Sequence, residues 1–203
     1  MKPGGKPDPY TARAHKEGFA ARSVYKLEEI DRRCKLLRPG LHVLDLGAAP
    51  GSWTQWMCSR IGPKGRIVAV DLTPLGVTVP AFVQAVELDV LQAPLESFAA
   101  LGPFDLLVSD MAPHTTGVRD ADAALSAELV DRAMAIAERS LRPGGNLVAK
   151  IFQGSDFEDV RRRLRERFET VKVMKPEASR KESVEIFLVG LGHRAPGAVL
   201  PAR

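Results

Sequence analysis

Acids recur at the ends of apolar runs in the first half of this chain: Asp45 within VLDL, Asp71 after RIVAV, Asp89 after VQAVEL and Asp110 after FDLLVS. Between Asp45 and a predicted helix lies the small-residue turn Gly47–Gly51, GAAPG. Gly47 and Gly51 carry no Cβ, so this turn can take positive φ or let a ligand lie against the main chain. Runs of this kind read as strands, and ligands bind in the crevice beyond the carboxyl ends of the strands of an open α/β sheet. A dinucleotide fits poorly, because the G-x-G-x-x-G fingerprint is missing and Asp45 at the mouth of the turn would repel a pyrophosphate. Asp71 lies 20 residues beyond Gly51, about the offset at which an acid reaches ribose hydroxyls. A ring of carboxylates suits a cofactor that carries a ribose and positive charge but no phosphate, and S-adenosylmethionine meets that description. Glycine turns and strand-end acids also occur in α/β proteins that bind nothing; four such acids in succession favour the cofactor.

A methyl donor needs an acceptor and a group to activate it. Lys26 and Lys150 sit in predominantly apolar settings, Asp110 closes a strand, and Glu185 lies within VEIFLV. A ribose hydroxyl is a very weak acid, so its attack on a methyl group is helped by a general base. Lysine can serve if its amine is neutral, a state that a second ammonium nearby favours. Carboxylates push the other way but orient the amines, and such a group titrates as a coupled set. From spacing alone, each interior lysine keeps the competing reading of a snorkelling or ion-paired side chain.

These residues need elements to hold them. Val24, Leu27, Ile30 and Cys34 recur at spacings of three and four, which predicts a helix from about Ala21 to Leu37, stopped by Pro39-Gly40. Strands are expected over His42–Leu46, Arg66–Val70, Phe82–Leu88, Phe104–Ser109, Asn146–Phe152, Val171–Met174 and Val184–Gly190. Helices are expected from Ser52 to about Arg60 and over Ala93–Leu101, Ala121–Leu141 and Asp156–Phe168. The longest places Leu125, Leu129, Ala133, Met134, Ala137 and Leu141 on one face, expected to be its core face. Pro143-Gly144-Gly145 is expected to end it. This alternation specifies a doubly wound α/β domain: a seven-stranded, mostly parallel sheet with helices on both faces. The last two strands leave no room for a crossover helix, which implies one antiparallel pair. The domain is expected over residues 21–192, after a basic, flexible arm at 1–20 whose tip (Met1 to about Pro9) stays disordered until bound, and before a frayed tail at 193–203.

A chain of 203 residues suits one domain, and no apolar run approaches a membrane span. The N-terminus has no apolar h-region of a secretory signal. Cys34 and Cys58 lie in predicted helices without metal-ligand spacing and read as reduced thiols of a cytoplasmic protein. The net charge of +4 is unevenly spread: residues 1–38 hold ten Lys/Arg and five Asp/Glu, leaving 19 and 20 for the rest. A basic segment before a near-neutral domain reads as a polyanion contact, most naturally nucleic acid. A second basic block, Arg161–Arg167 (RRRLRER), reads as a solvated helix face or as a further contact.

Together, VLDLGAAPGSW, SDMAP, NLVAKIFQG and KPEASRKESVEIFLV closely resemble the FtsJ/RrmJ (RlmE) family of ribosomal RNA ribose 2′-O-methyltransferases, from about Arg22 to about Gly190. The resemblance implies a Rossmann-like, class I S-adenosylmethionine-dependent methyltransferase fold. It implies a catalytic tetrad of Lys26, Asp110, Lys150 and Glu185, with Lys150 as proton acceptor and the other three positioning and tuning it. Cofactor contacts map onto Gly51, Trp53, Asp71, Asp89 and Asp110, and no metal is implied. The implied substrate is a uridine of 23S ribosomal RNA on the assembled large ribosomal subunit, methylated by a cytoplasmic monomer. The family's turn often reads A-P-G-G-W, whereas Ser52 occupies the second glycine position here; serine is small and a good helix N-cap, so binding is expected to survive. The stretch between Asp71 and Asp89 matches less well.

Competing functions separate on the sequence. Base N-methyltransferases carry an Asn/Asp-Pro-Pro-aromatic motif, and Asp110-Met111-Ala112-Pro113 lacks the aromatic. A cytosine C5-methyltransferase needs a loop cysteine as nucleophile, and both cysteines fall in predicted helices. Relatives that modify tRNA anticodon loops or mRNA caps are the closest enzymatic alternatives; the compact length without a fused RNA-binding domain favours the ribosomal substrate. A non-catalytic ribosome assembly factor is the alternative outside enzymes, and the intact tetrad speaks against it.

Overall fold

Strand β1 (His42–Leu46) is apolar on both faces, with Val43, Leu44 and Leu46 fully buried, which suits it to the middle of a sheet covered on both sides. The computed structural model describes residues 8–180 and 182–195. Among these it forms one sheet of seven strands in the order β3-β2-β1-β4-β5-β7-β6. The others are β2 (Arg66–Asp71), β3 (Val83–Glu87), β4 (Phe104–Ser109), β5 (Leu141–Phe152), β6 (Phe168–Met174) and β7 (Glu185–His193). Pairings β1·β2, β1·β4, β2·β3 and β4·β5 are parallel. The chain runs outward from β1 to β3 and returns to the other side of β1 as β4, so the strand order reverses between β1 and β4. That is where an open sheet leaves a crevice.

Helices α2 (Val24–Cys34) and α3 (Ser52–Ile61) cover one face, where Leu27, Ile30, Trp53 and Met57 pack on Val43, Val108 and Phe187. Helices α4 (Leu95–Ala99), α5 (Arg119–Ser140) and α6 (Phe157–Arg167) cover the other, where Phe98, Val130, Ala133 and Leu164 pack on Leu44 and Leu107. Both cysteines are free.

The structure departs from the sequence expectation in four places. Where one antiparallel pair was expected, β7 is inserted between β5 and β6 and runs antiparallel to both. The N-terminal segment contains helix α1 (Pro9–Lys16), started by the Asp8 side chain on the Tyr10 amide (3.1 Å) with Pro9 in its first turn. Ala14 is buried, and Tyr10 and Phe19 pack on Tyr25 with ring centroids 5.7 and 6.4 Å apart. These few apolar residues dock the second half of a segment whose charges suggested an arm. The tip before residue 8 lies outside the described residues.

The third departure is in α5, where Val130, Ala133, Met134, Ile136 and Ala137 face the core while Leu125 is 37% exposed. Ala133, Met134 and Ala137 keep the expected core face, but towards the N-terminal half Ala123, Ala127 and Val130 are buried in place of Leu125 and Leu129. Finally, β5 begins at Leu141, opposite Phe104, and Arg142–Gly145 interrupts the ladder before it resumes at Leu106 and Asn146. The Pro-Gly-Gly run therefore lies inside a strand rather than between helix and strand. At the other end, His193 closes β7 and residues 196–203 of the expected tail lie outside the described residues.

Candidate active site

The turn after β1 is shaped by close approaches. Gly47 has φ +73, and a Cβ there would lie 2.6 Å from Met111 Cγ and 3.2 Å from the Met111 main chain. Its missing side chain lets the segment after β4 come against the turn. Asp71, at the end of β2, fixes the turn from the other side: Oδ2 accepts the Ala49 amide (2.9 Å) while Oδ1 accepts the Thr73 amide and hydroxyl (3.0 and 3.1 Å). Asp89 Oδ1 accepts the Leu91 amide at 2.8 Å. Between these parts opens a cleft of about 520 Å³, bounded on its polar side by Gly47, Ala49, Asp71, Asp89 and Asp110. Leu72, Leu91 and Leu125, 66%, 49% and 37% exposed, line its apolar side. The sequence reading missed these leucines; the signal available was an apolar residue directly after Asp71 and another two residues after Asp89, both where the chain must be solvent-facing.

Two expected contacts do not line the cleft with side chains. Gly51 has φ +110, and a Cβ there would collide with Val77. Trp53 is buried, with its ring 5.8 Å from that of Phe187 and its Nε1 donating to the Ser23 carbonyl at 2.8 Å. What this corner can offer a ligand is main chain. Gln55 is the first α3 residue to bond back, to the Gly51 carbonyl at 2.9 Å, and the N–H groups before it have no partner within the helix. Ser52 is not the N-cap expected of it: Gly51 holds that position, and Ser52 Oγ lies 2.8 Å from Ser23 Oγ.

Beneath the turn, Asp45 is 1% exposed and its Oδ2 accepts the Thr54 hydroxyl at 2.7 Å. Burial pushes its carboxyl up to about 7 against the opposing pull of Thr54, and the charges of Asp110 and Asp71 push the same way.

The four tetrad candidates form two ion pairs. Lys150 Nζ, from β5, donates to the Asp110 main-chain carbonyl at 2.6 Å and lies 3.1 Å from Asp110 Oδ1. Asp110 Oδ1 has no hydrogen-bond partner, so this carboxylate contact is electrostatic rather than a well-aligned hydrogen bond. Lys26 Nζ, from α2, lies 2.6 Å from Glu185 Oε1 and 5.9 Å from the centre of the Phe187 ring. Register joins the pairs: Lys150 is opposite Phe187 and Phe152 opposite Glu185, so Lys150 and Glu185 share the face that α2 covers. Burial pushes the Glu185 carboxyl up, but the Lys26 ammonium, with help from Ser179 and Lys150, outweighs it and holds the carboxyl below its ordinary value. Asp110 belongs to both parts of the site, because it also lines the cleft.

Four arginines of the basic block on α6 pair with carboxylates, and Arg165 is exposed. Arg163 forks onto both Asp131 oxygens at 2.8 Å, Arg167 pairs with Glu138, and Arg161 and Arg162 pair with Glu158 and Asp159 on their own helix. The Arg163 and Arg167 bonds stitch α6 to α5 on the face opposite Lys26. Part of the N-terminal basic excess is also structural, since Arg22 binds Asp8 and the Ala178 carbonyl. Among the described residues, no group of three or more His, Cys, Asp or Glu could hold a metal ion, and no helix is long and apolar enough to cross a membrane.

A sheet of this order, with a carboxylate-rimmed cleft where its strand order reverses, defines a Rossmann-like methyltransferase fold. The comparisons with known proteins agree. The FtsJ-like methyltransferase family model matches residues 19–193, and the chain belongs to that family. It is 50% identical to the ribosomal RNA large subunit methyltransferase E of Sorangium cellulosum, over 95% of this chain and 91% of that one. Among solved structures, a Plasmodium falciparum protein assigned as a ribosomal RNA methyltransferase shares the fold with a TM-score of 0.76 at 23% identity, over 87% of this chain and all of the other. Aeropyrum pernix fibrillarin, in complex with S-adenosyl-L-methionine, shares it with a TM-score of 0.56 at 19% identity, over 89% and 73%.

Proposed function

We propose that this protein methylates the 2′-hydroxyl of a ribose in large-subunit ribosomal RNA, a uridine of 23S RNA on the assembled subunit, with S-adenosylmethionine as donor. The observation that carries the reading is Asp110, which faces the cleft and also holds Lys150, so that a candidate base stands beside the cofactor's place. The name carried by the Sorangium relative supports the RNA class, and the cofactor held by fibrillarin supports the donor.

The cleft's chemistry fits that cofactor. Asp71 and Asp89 suit ribose hydroxyls and an adenine amine, and the three leucines suit an adenine ring; the main-chain N–H groups that open α3, three residues past Ala49 at the cleft wall, suit a carboxylate. Gly51 acts by leaving room for the turn, and Trp53 by its main chain. When bound, S-adenosylmethionine supplies a methyl group on cationic sulfur, open to in-line displacement by oxygen.

The chain's own residues do the rest. Lys150, as the neutral amine, takes the proton from the 2′-hydroxyl, and the Asp110 carbonyl fixes its rotamer. Lys26, balanced by Glu185, is a fixed cation for the negative charge that grows on the attacking oxygen. A nucleotide reaches this position only when splayed out of its stack. One chain supplies all four groups, so a monomer suffices, and a ribosomal substrate implies the cytoplasm.

The test is transfer of labelled methyl to large subunits from cells lacking the enzyme, wild type beside Lys150→Ala, with the product mapped by resistance to alkaline cleavage. One alkali-resistant site lost in the variant is expected, with cofactor affinity retained. Transfer to tRNA but not to particles would overturn the substrate. RNA binding without any transfer would overturn the enzymatic reading in favour of an assembly factor.

A further inference from the structure

Ser23, the residue before α2, makes three contacts at once. Its carbonyl accepts the Lys26 amide at 3.0 Å and the Trp53 indole at 2.8 Å, while its hydroxyl meets the Ser52 hydroxyl at 2.8 Å. It holds the N-cap position of α2 yet makes no side-chain cap bond, because its hydroxyl is committed to α3. Ser52 and Trp53 are the first two residues of α3, 3% and 2% exposed, while Ser23 is half-buried, so the joint is buried on its α3 side. In such a place a hydroxyl that loses its partner is left unsatisfied. The end of α3 that offers main-chain donors to the cofactor and the first turn of the helix that carries Lys26 thus meet in a single residue.

We infer that Ser23 is a positioning residue that couples cofactor occupancy at the α3 N-terminus to the placement of Lys26. It touches neither substrate nor cofactor; it acts through Ser52 and Trp53 on one side and the Lys26 main chain on the other. The inference rests on the functional reading above. Ser52 matters to it because its hydroxyl is the partner of the Ser23 hydroxyl across the two helices.

Ser23→Ala and Ser52→Gly break the same contact from opposite sides and leave the Ser23 carbonyl bonds to Lys26 and Trp53 in place. Three quantities are measured for wild type, both variants and the double variant: cofactor affinity by calorimetry without RNA, hydrogen exchange of residues 23–27 with and without S-adenosylmethionine, and kcat and KM for methyl transfer to large subunits. In wild type the cofactor is expected to slow exchange in the first turn of α2 about five-fold, the factor one net hydrogen bond commands. Ser23→Ala should bind cofactor within about two-fold of wild type, lose that protection, and lose about five-fold in kcat with KM for RNA unchanged. The double variant should fall no further than either single one. Protection that persists in Ser23→Ala, losses that multiply in the double variant, or a loss confined to cofactor affinity would each overturn the coupling. A wild type that binds no cofactor overturns the functional reading and the inference together. One that binds cofactor but transfers nothing to RNA overturns the substrate alone and leaves the exchange measurement to decide the coupling.

Discussion

Replacing Asp45 by asparagine should make the protein more stable at neutral pH than wild type, and by an amount that depends on pH. The carboxyl is 1% exposed, with burial driving it from 3.8 to about 7. Between those values the unfolded chain has lost the proton while the folded chain keeps it, so stability is greatest below the unfolded value, declines as pH rises, and levels off above about 7. At about 1.4 kcal/mol per unit, the shift amounts to about 4 kcal/mol, of which about 3 develops between pH 5 and pH 8. An asparagine side chain has the same size and can still accept the Thr54 hydrogen. Unfolding free energies from urea titrations at several pH values, for Asp45→Asn beside wild type, isolate this group because every other titration is common to both. The variant's advantage should grow by about 3 kcal/mol from pH 5 to pH 8. Two parallel curves would refute the reasoning, since they would mean that the carboxylate is already ionised in the folded state.

Other perturbations test other parts of the site. Gly51→Ala forces a side chain onto Val77 at φ +110, and a cost of about 2 kcal/mol in stability, with weakened cofactor binding, is expected by thermal shift with and without S-adenosylmethionine. Glu185→Gln strands the Lys26 ammonium and should cost about 3 kcal/mol at neutral pH. Because the folded Glu185 carboxyl lies below its ordinary 4.5, that cost should fade as pH drops through the folded value, which acid-range denaturation curves would register. Replacing Arg163 and Arg167 by alanine should loosen α6 from α5, yet leave RNA affinity within about two-fold and the salt slope of binding unchanged; a shallower slope would put that helix in the RNA interface.

Most strands were legible because each is a short apolar run bounded by Gly, Pro or an acid, and these signals need no tertiary knowledge. β1 and β4 match their expected bounds for that reason. α1 was not legible, because three apolar residues among basic ones gain their value only from Tyr25, which the sequence does not place beside them. Leu125 and Leu129 were assigned to the core by a period that alanines satisfy equally well, and only the position of the cleft decides between the two stripes. At Arg161–Arg167 the sequence left a solvated face and a further contact both open, and it could not show that Arg163 and Arg167 pair with Asp131 and Glu138, because those acids lie on another helix. Ser52 looked like a cap from its type, and the left-handed Gly51 takes that place.

The direction of β7 explains why the tetrad can assemble at all. In a parallel sheet every strand brings its last residues to the ligand rim, as β4 brings Asp110 and β5 brings Lys150. Glu185 is the first residue of its strand, and in a parallel β7 it would sit at the far end of the ladder. Along Leu147–Phe152 that is a displacement of about 17 Å at about 3.3 Å per residue. Running antiparallel between β5 and β6, β7 instead delivers its start beside Phe152, two residues from Lys150 on the same face and within reach of Lys26. Pairing parity completes the argument, because a one-residue slip would turn Glu185 to the α5 and α6 side and leave Lys26 without its counter-charge. The strand that breaks the parallel pattern is therefore the one whose register the chemistry depends on most.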